Sequence, residues 1–181
     1  MSKRTPLPSS VAPRIVLLMG VSGCGKSTTG RNLSRHLGWE YRDADSFHPP
    51  ANIEKMKAGT PLTDEDRWPW LDAIGAWIDQ CQATGSCGIV SCSALRRPYR
   101  DRLRGGGRRD IDLVFLDGTF ATIAERMQRR KDHFMPPALL RSQFDALERP
   151  TADENALLVP ISMAPRKVIE RIVTALRLSK S

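Results

Sequence analysis

Short apolar runs alternate along the chain with longer stretches in which apolar positions recur every three or four residues. Ile15 to Met19, Gly88 to Cys92, Asp112 to Leu116 and Ala156 to Ile161 are largely continuous runs, several of them β-branched. Strands covered on both faces have this character. Glu40 to Arg42 is a weaker fifth candidate. Between them the period lengthens. Thr28 to Leu37 predicts a helix directly after the first strand, and Trp70, Leu71, Ile74, Trp77, Ile78 and Cys81 fall on one helical face. Pro69 suits a first helical turn, which makes Asp66 the expected N-cap. Phe120, Ile123, Ala124 and Met127 repeat the pattern, as do Val168, Ile169, Ile172, Val173 and Leu176, with Pro165 near the start. Alternation of strand and helix predicts an α/β fold in three layers, a parallel sheet flanked by helices. The 181 residues suit one domain, residues 15–181, preceded by a flexible arm, residues 1–14.

The junction of the first strand and first helix carries the strongest chemical signal. Gly20-Val21-Ser22-Gly23-Cys24-Gly25-Lys26-Ser27 satisfies G-x-x-x-x-G-K-[ST] in its strand, loop and helix setting. Glycines let successive N–H groups turn inward toward phosphate oxygens, and the helix start adds its positive dipole end. Binding of a nucleoside triphosphate follows. Lys26 is expected to reach the β- and γ-phosphates and the Ser27 hydroxyl to ligate Mg²⁺. Gly20, Ser22, Gly23, Cys24, Gly25, Lys26, Ser27 and Thr28 are the candidate contacts to ATP.

Asp43-Ala44-Asp45-Ser46-Phe47-His48-Pro49 follows the weak second strand. In an open α/β sheet ligands collect beyond the carboxyl ends of the strands, so these acids sit where a second substrate would meet the phosphates. Asp45 is expected to accept the proton of an acceptor hydroxyl and to stand beside the metal with Ser27. Asp43 reads either as a second such acid or as a turn residue. His48 is a candidate hydrogen-bonding partner for a polyol. Asp117, at the end of Leu113-Val114-Phe115-Leu116, ranks behind both acids as a metal-side carboxylate.

A formal net charge of +8 favours anionic partners without choosing among them. The placement of arginines is more selective. Arg67 falls early in a helix, and Ser93 and Arg96 follow the third strand at the same rim. Arg126, Arg129, Arg130 and Lys131 precede a proline-containing stretch that reads as a lid over about residues 130–142. Lid arginines closing on phosphates would neutralise charge that develops in transfer, which makes Arg130 a catalytic candidate. Arg126 and the loop before the fifth strand are candidates for the adenine side. Arg96 to Arg109 holds seven arginines with few aromatics, a pattern that argues against stacking on single-stranded nucleic acid. The four cysteines form no C-x-x-C pair, and no apolar run approaches the roughly 18 residues of a membrane span. A reduced, cytoplasmic setting is expected, without nucleic-acid or membrane partners.

Several ordered blocks carry a resemblance beyond the phosphate loop. They are the D-x-D-x-x-H-P segment at Asp43 to Pro49, Asn52-Ile53-Glu54-Lys55-Met56, Gly59-Thr60-Pro61-Leu62 and Asp64-Glu65-Asp66-Arg67-Trp68-Pro69-Trp70-Leu71. Cys92-Ser93-Ala94-Leu95, Tyr99-Arg100-Asp101 and Arg130-Lys131-Asp132-His133-Phe134 follow in order. From about Ile15 to about Leu178 the chain resembles the gluconate kinase family, small P-loop kinases related in fold to shikimate and adenylate kinases. The resemblance implies transfer of the ATP γ-phosphoryl group to the 6-hydroxyl of D-gluconate. It also implies a five-stranded parallel sheet with the phosphate-loop strand central, a lid, and a homodimer. Carried onto these positions, Asp45 would hold the hydroxyl, with His48, Arg67, Ser93, Arg96, Tyr99, Arg100 and the lid residue His133 around the sugar acid. The residues agree independently, because an open-chain carboxylate needs arginines at one end and a carboxylate base at the other. Kinases of the same fold acting on shikimate or a nucleoside monophosphate are the nearest alternatives, and a nucleic-acid-binding P-loop module is a more distant one.

Overall fold

The computed structural model describes residues 12–129 and 137–180. Five strands, β1 (Ile15–Met19), β2 (Glu40–Asp43), β3 (Gly88–Ser91), β4 (Ile111–Asp117) and β5 (Leu157–Pro160), form one parallel sheet in the order β2-β3-β1-β4-β5. The helices among the described residues are α1 (Lys26–Leu37), α2 (Pro50–Lys57), α3 (Asp64–Thr84), α4 (Arg97–Arg104), α5 (Phe120–Gln128), α6 (Pro137–Ala146) and α7 (Pro165–Leu176). None of them is long and apolar enough to cross a membrane.

The sheet order explains where a ligand can sit. The chain leaves β1 for β2 on one side, then passes from β3 across β1 to β4 on the other. That reversal opens a crevice above the carboxyl end of the central strand. Side chains of β1 point alternately to the two faces, so one strand serves two cores. Val16 and Leu18 pack with Leu33 and Leu37 of α1, Ile123 of α5 and Val168 and Ile172 of α7. Ile15, Leu17 and Met19 pack with Trp70, Leu71, Ile74, Trp77 and Ile78 of α3 and Leu103 of α4. Both faces being covered, all five β1 side chains are fully buried, which accounts for the unbroken apolar run.

Two local expectations are corrected. α3 begins two residues before Asp66, with Thr63 as N-cap. Thr63 Oγ1 accepts from the Asp66 N–H at 3.3 Å, and Asp66 Oδ2 accepts from the Thr63 N–H at 2.9 Å. This reciprocal box outweighs the preference of proline for a first turn. Pro69 is thus the sixth helical residue, and the carbonyl it leaves without a partner belongs to exposed Glu65, where water can reach it. Arg14, expected in the arm, is tied into the domain. Its guanidinium donates to Asp112 Oδ2 and to the Leu176 carbonyl, each at 2.7 Å. Residues 137–142 of the expected lid are helical in α6, where Leu140 is buried in the core. Arg130 and His133, with the rest of the lid, lie outside the described residues, as do residues 1–11 of the arm.

Candidate active site

The phosphate loop is shaped by contacts that leave no room for a side chain at its first glycine. Gly20 has φ +143°, and a Cβ there would lie 2.8 Å from Cys24 Sγ and 2.9 Å from the Leu116 carbonyl. The Gly20 N–H donates to the Ser93 carbonyl at 3.3 Å, so the loop after β3 is docked onto the phosphate loop. Lys26 Nζ lies over the turn, donating to Gly20 O at 2.8 Å and Val21 O at 3.1 Å. Cys24 is buried, and burial pushes its thiol above the ordinary value, so it serves as a small loop residue rather than a nucleophile. Thr28 is exposed on the first turn of α1.

Asp43, not Asp45, is the carboxylate that touches Ser27. Ser27 Oγ donates to Asp43 Oδ2 at 2.7 Å, and the Tyr41 hydroxyl reaches the same oxygen at 3.0 Å. Tyr41 also bonds Ser91 Oγ at 2.7 Å, across the pairing of β2 with β3. The Asp45 N–H caps Asp43 Oδ1 at 3.2 Å. Burial works to raise the Asp43 carboxyl, but these hydrogen bonds outweigh it and hold it below the usual carboxylate range. A helical glycine makes the arrangement possible, because a Cβ at Gly30 would run into the Tyr41 ring. Asp45, one step further along a short 3-10 turn, is exposed. The carboxylate that meets Ser27 is thus Asp43, which ends β2 in register with Ser91, while Asp45 makes no bond to Ser27.

Arg67 and Arg96 gather around Asp64 and Tyr99. Arg96 Nη1 lies 2.9 Å and Arg67 Nη1 3.5 Å from the two oxygens of Asp64, which also accepts from the Tyr99 hydroxyl. Both guanidinium carbons lie 5.7 Å from the Tyr99 ring centroid. The Tyr99 hydroxyl first, and then the two arginines, hold the Asp64 carboxyl below its ordinary value. Tyr99 is itself buried, its hydroxyl on Asp64 and its ring against the two arginines. His48 stacks on Trp70 with centroids 4.4 Å apart, and its Nδ1 accepts from Asn52 Nδ2 at 3.3 Å, which leaves the ring proton on Nε2. Burial, helped by Arg67 and opposed by Asp45, lowers the His48 pKa. The fold thus prefers the neutral ring. Its contribution to stability is complete above the usual 6.5 and is lost as the pH falls through the lowered value. An NMR titration of the His48 ring protons is expected to give a midpoint below 6.5; a midpoint at or above it would contradict this geometry.

Arg100, an expected contact of the sugar acid, is instead a buried residue with its guanidinium fully engaged inside the protein. Its side chain is 1% exposed and paired with Glu154, itself 2% exposed, at 2.6 and 2.8 Å. The remaining nitrogen donates to the Ala94 and Leu95 carbonyls at 3.1 and 3.2 Å. Arg100 builds the loop that presents Ser93 and Arg96. Asp117 is likewise committed, bonded to both terminal nitrogens of Arg149. Of the seven arginines from Arg96 to Arg109, five pair with carboxylates and Arg104 donates to the Glu154 carbonyl.

Behind the phosphate loop lies a cavity of about 330 Å³ bordered by Gly25, Thr28, Asn32, Arg126, Met163 and Pro165. Arg126 reaches the Ile161 carbonyl across it. The loop that closes it follows β5 rather than preceding it, because the carboxyl end of that strand faces the crevice. A larger hollow of about 470 Å³ flanks the amino end of β4, far along the sheet from the phosphate loop. Of its arginines, Arg97 is paired with Asp153 and Arg108 with Asp79, while Arg104 donates to the main-chain carbonyl of Glu154.

Comparison with known proteins agrees with this layout. The family model described as shikimate kinase matches residues 22–176. A gluconokinase of Gluconobacter oxydans is 44% identical over 161 residues, covering 89% of this chain and 90% of its own. Two solved structures superpose closely. A sugar kinase from Janibacter has a TM-score of 0.84 at 44% identity, covering 92% of this chain and 95% of its own. A gluconokinase from Sinorhizobium meliloti has a TM-score of 0.81 at 40% identity, covering 92% and 93%. With its phosphate loop, its paired acids and the shared length of these relatives, the chain belongs to the gluconokinase family within the shikimate kinase group of P-loop kinases.

Proposed function

We propose that this protein transfers the γ-phosphoryl group of ATP to the 6-hydroxyl of D-gluconate, forming 6-phosphogluconate and ADP. The observation that carries the reading is the spacing of opposite chemistries at one sheet end. Lys26 and the Ser27–Asp43 pair gather at the phosphate loop, the Arg67–Arg96 cluster gathers on Asp64, and the Gly20–Ser93 bond joins the loop after β3, which leads to Arg96, to the phosphate loop. The names of the relatives, gluconokinase, point the same way.

The loop amides and Lys26 would hold the phosphates, and Arg126 with the cavity beside it would seat the adenine. The Ser27 hydroxyl and the Asp43 carboxylate behind it are hard oxygen donors, a set that suits Mg²⁺. Bound there, the metal would neutralise charge on the transferring phosphoryl group. Arg67 and Arg96 would bind the sugar acid carboxylate bidentately, while His48 Nε2–H and Ser93 would take hydroxyls. Asp45 would accept the proton of the 6-hydroxyl as that oxygen bonds to phosphorus and the bond to the ADP oxygen breaks. Arg130 and His133 would join from the lid. The pairing of the Arg96 to Arg109 run with its own acids favours this reading over nucleic-acid binding. A cytoplasmic homodimer completes the proposal.

The test is an ADP-release assay across acceptors with ATP and Mg²⁺. Gluconate is expected to stimulate turnover well above shikimate or nucleoside monophosphates, and stimulation by one of those instead would refute the acceptor. In the same assay Asp45→Asn is expected to lower kcat by about 10²–10⁴ with a much smaller change in gluconate affinity. A variant that lost only affinity would reassign Asp45 to binding.

A further inference from the structure

The phosphate loop is held from outside by a residue that none of its own motif contains. Gln143, on the second turn of α6, accepts the Ser22 N–H on Oε1 at 2.6 Å and donates from Nε2 to Ser22 Oγ at 3.0 Å. Ser22 is thereby bonded through main chain and side chain to a residue 121 positions away. The same run of chain then reaches the acceptor side. The Glu148 N–H donates to the Leu95 carbonyl at 2.8 Å, and Glu148 Oε2 accepts from the Arg97 N–H at 2.7 Å. Glu148 Oε1 lies 3.6 Å from Arg96 Nε. Arg149 closes the run on Asp117 at the end of β4. Phe144, between the two ends, packs edge-on against Phe120 with centroids 5.5 Å apart.

From this geometry we infer that Gln143 and Glu148 are positioning residues at the two ends of one strap, Gln143 to Arg149, which fixes the phosphate loop and Arg96 relative to each other. The inference rests on the assignment of ATP to the loop and of the sugar acid to Arg67 and Arg96. Four residues separate Gln143 from Glu148, and the helix end and main-chain bonds between them leave little slack. A shift of Ser22 is therefore passed to the segment that orients Arg96, and coupling of this kind acts equally in both directions.

The consequence is a crossed kinetic effect. Gln143→Leu keeps the volume but removes both bonds to Ser22, and is expected to raise the KM for gluconate as well as for ATP by about fivefold or more. Glu148→Ala, on the acceptor side, is expected to raise the KM for ATP likewise. Combined, the two should cost about as much in kcat/KM as the worse single change, because a strap cut at one end transmits nothing from the other. Melting temperatures recorded alongside separate these effects from a general loss of stability, and Ser22→Ala, which removes only the hydroxyl half of the clamp, should fall between wild type and Gln143→Leu. Each substitution affecting only the KM of its own side, or a double variant whose losses simply multiply, would overturn the strap. Turnover of wild-type protein with gluconate, measured first, distinguishes a wrong acceptor from a wrong strap.

Discussion

Arg100→Met is expected to lower the free energy of unfolding by about 3–5 kcal/mol, the usual result of removing one partner from a buried ion pair. Glu154 accepts from Arg100 Nε and Nη2 and from the Thr151 N–H, all within the protein. Without the guanidinium its carboxylate would stay buried with one main-chain donor. Urea denaturation at neutral pH measures the loss, and a change below about 1 kcal/mol would contradict the pairing. The pH dependence gives a second check. In the wild type, hydrogen bonding from Arg100 first holds the Glu154 carboxyl below its usual 4.5, so its stabilisation is present above that value and lost as the pH falls through the lowered one. In the variant only the Thr151 N–H and the charge of Arg97 still oppose burial, so the carboxyl rises from its wild-type value and the deficit is expected to narrow toward acid pH as Glu154 protonates. Replacing both residues by apolar ones of similar volume should recover much of the loss. Activity should fall in Arg100→Met even where the protein is folded. Ala94 sits at φ +41°, and two of the bonds that hold its loop come from Arg100.

That role was not legible in the sequence, for a physical reason. The partner of Arg100 lies 54 positions away, and α4 has five charged residues among its eight, with only Tyr99 and Leu103 to mark an apolar side. Its period was too faint to show, and so the arginines read as a rim. The strands and the phosphate loop are different, because their signals are local. β1 is apolar throughout since helices cover both faces, and the loop motif is contiguous. The two acids two residues apart fall between these cases. Spacing says that one of Asp43 and Asp45 meets Ser27, but the choice depends on Tyr41, on Ser91 across the sheet and on the gap left by Gly30. Gln143 shows the same limit from another side, since nothing near it in the chain marks it as a neighbour of the loop.

Lys26→Met is expected to reduce kcat by about 10³-fold or more, the scale on which a preorganised positive group acts on charge developing in phosphoryl transfer. In this structure the ammonium is held over the loop by the Gly20 and Val21 carbonyls, which fixes the charge at the turn whose amides face the phosphates. Methionine preserves the length of the stem and removes the charge, while the glycines, Ser27 and Asp43 keep their own contacts. Gluconate binding followed by calorimetry should change little, because the arginine cluster is held by Asp64, Tyr99 and Glu148 and not by Lys26. Lys26→Arg restores charge but not shape. The planar guanidinium cannot replace a compact ammonium in a turn this tight, so activity should remain far below wild type. Turnover of Lys26→Met within tenfold of wild type would show that the loop's amides alone carry the phosphate charge. A loss in kcat with gluconate binding intact would instead locate the defect at the phosphoryl group.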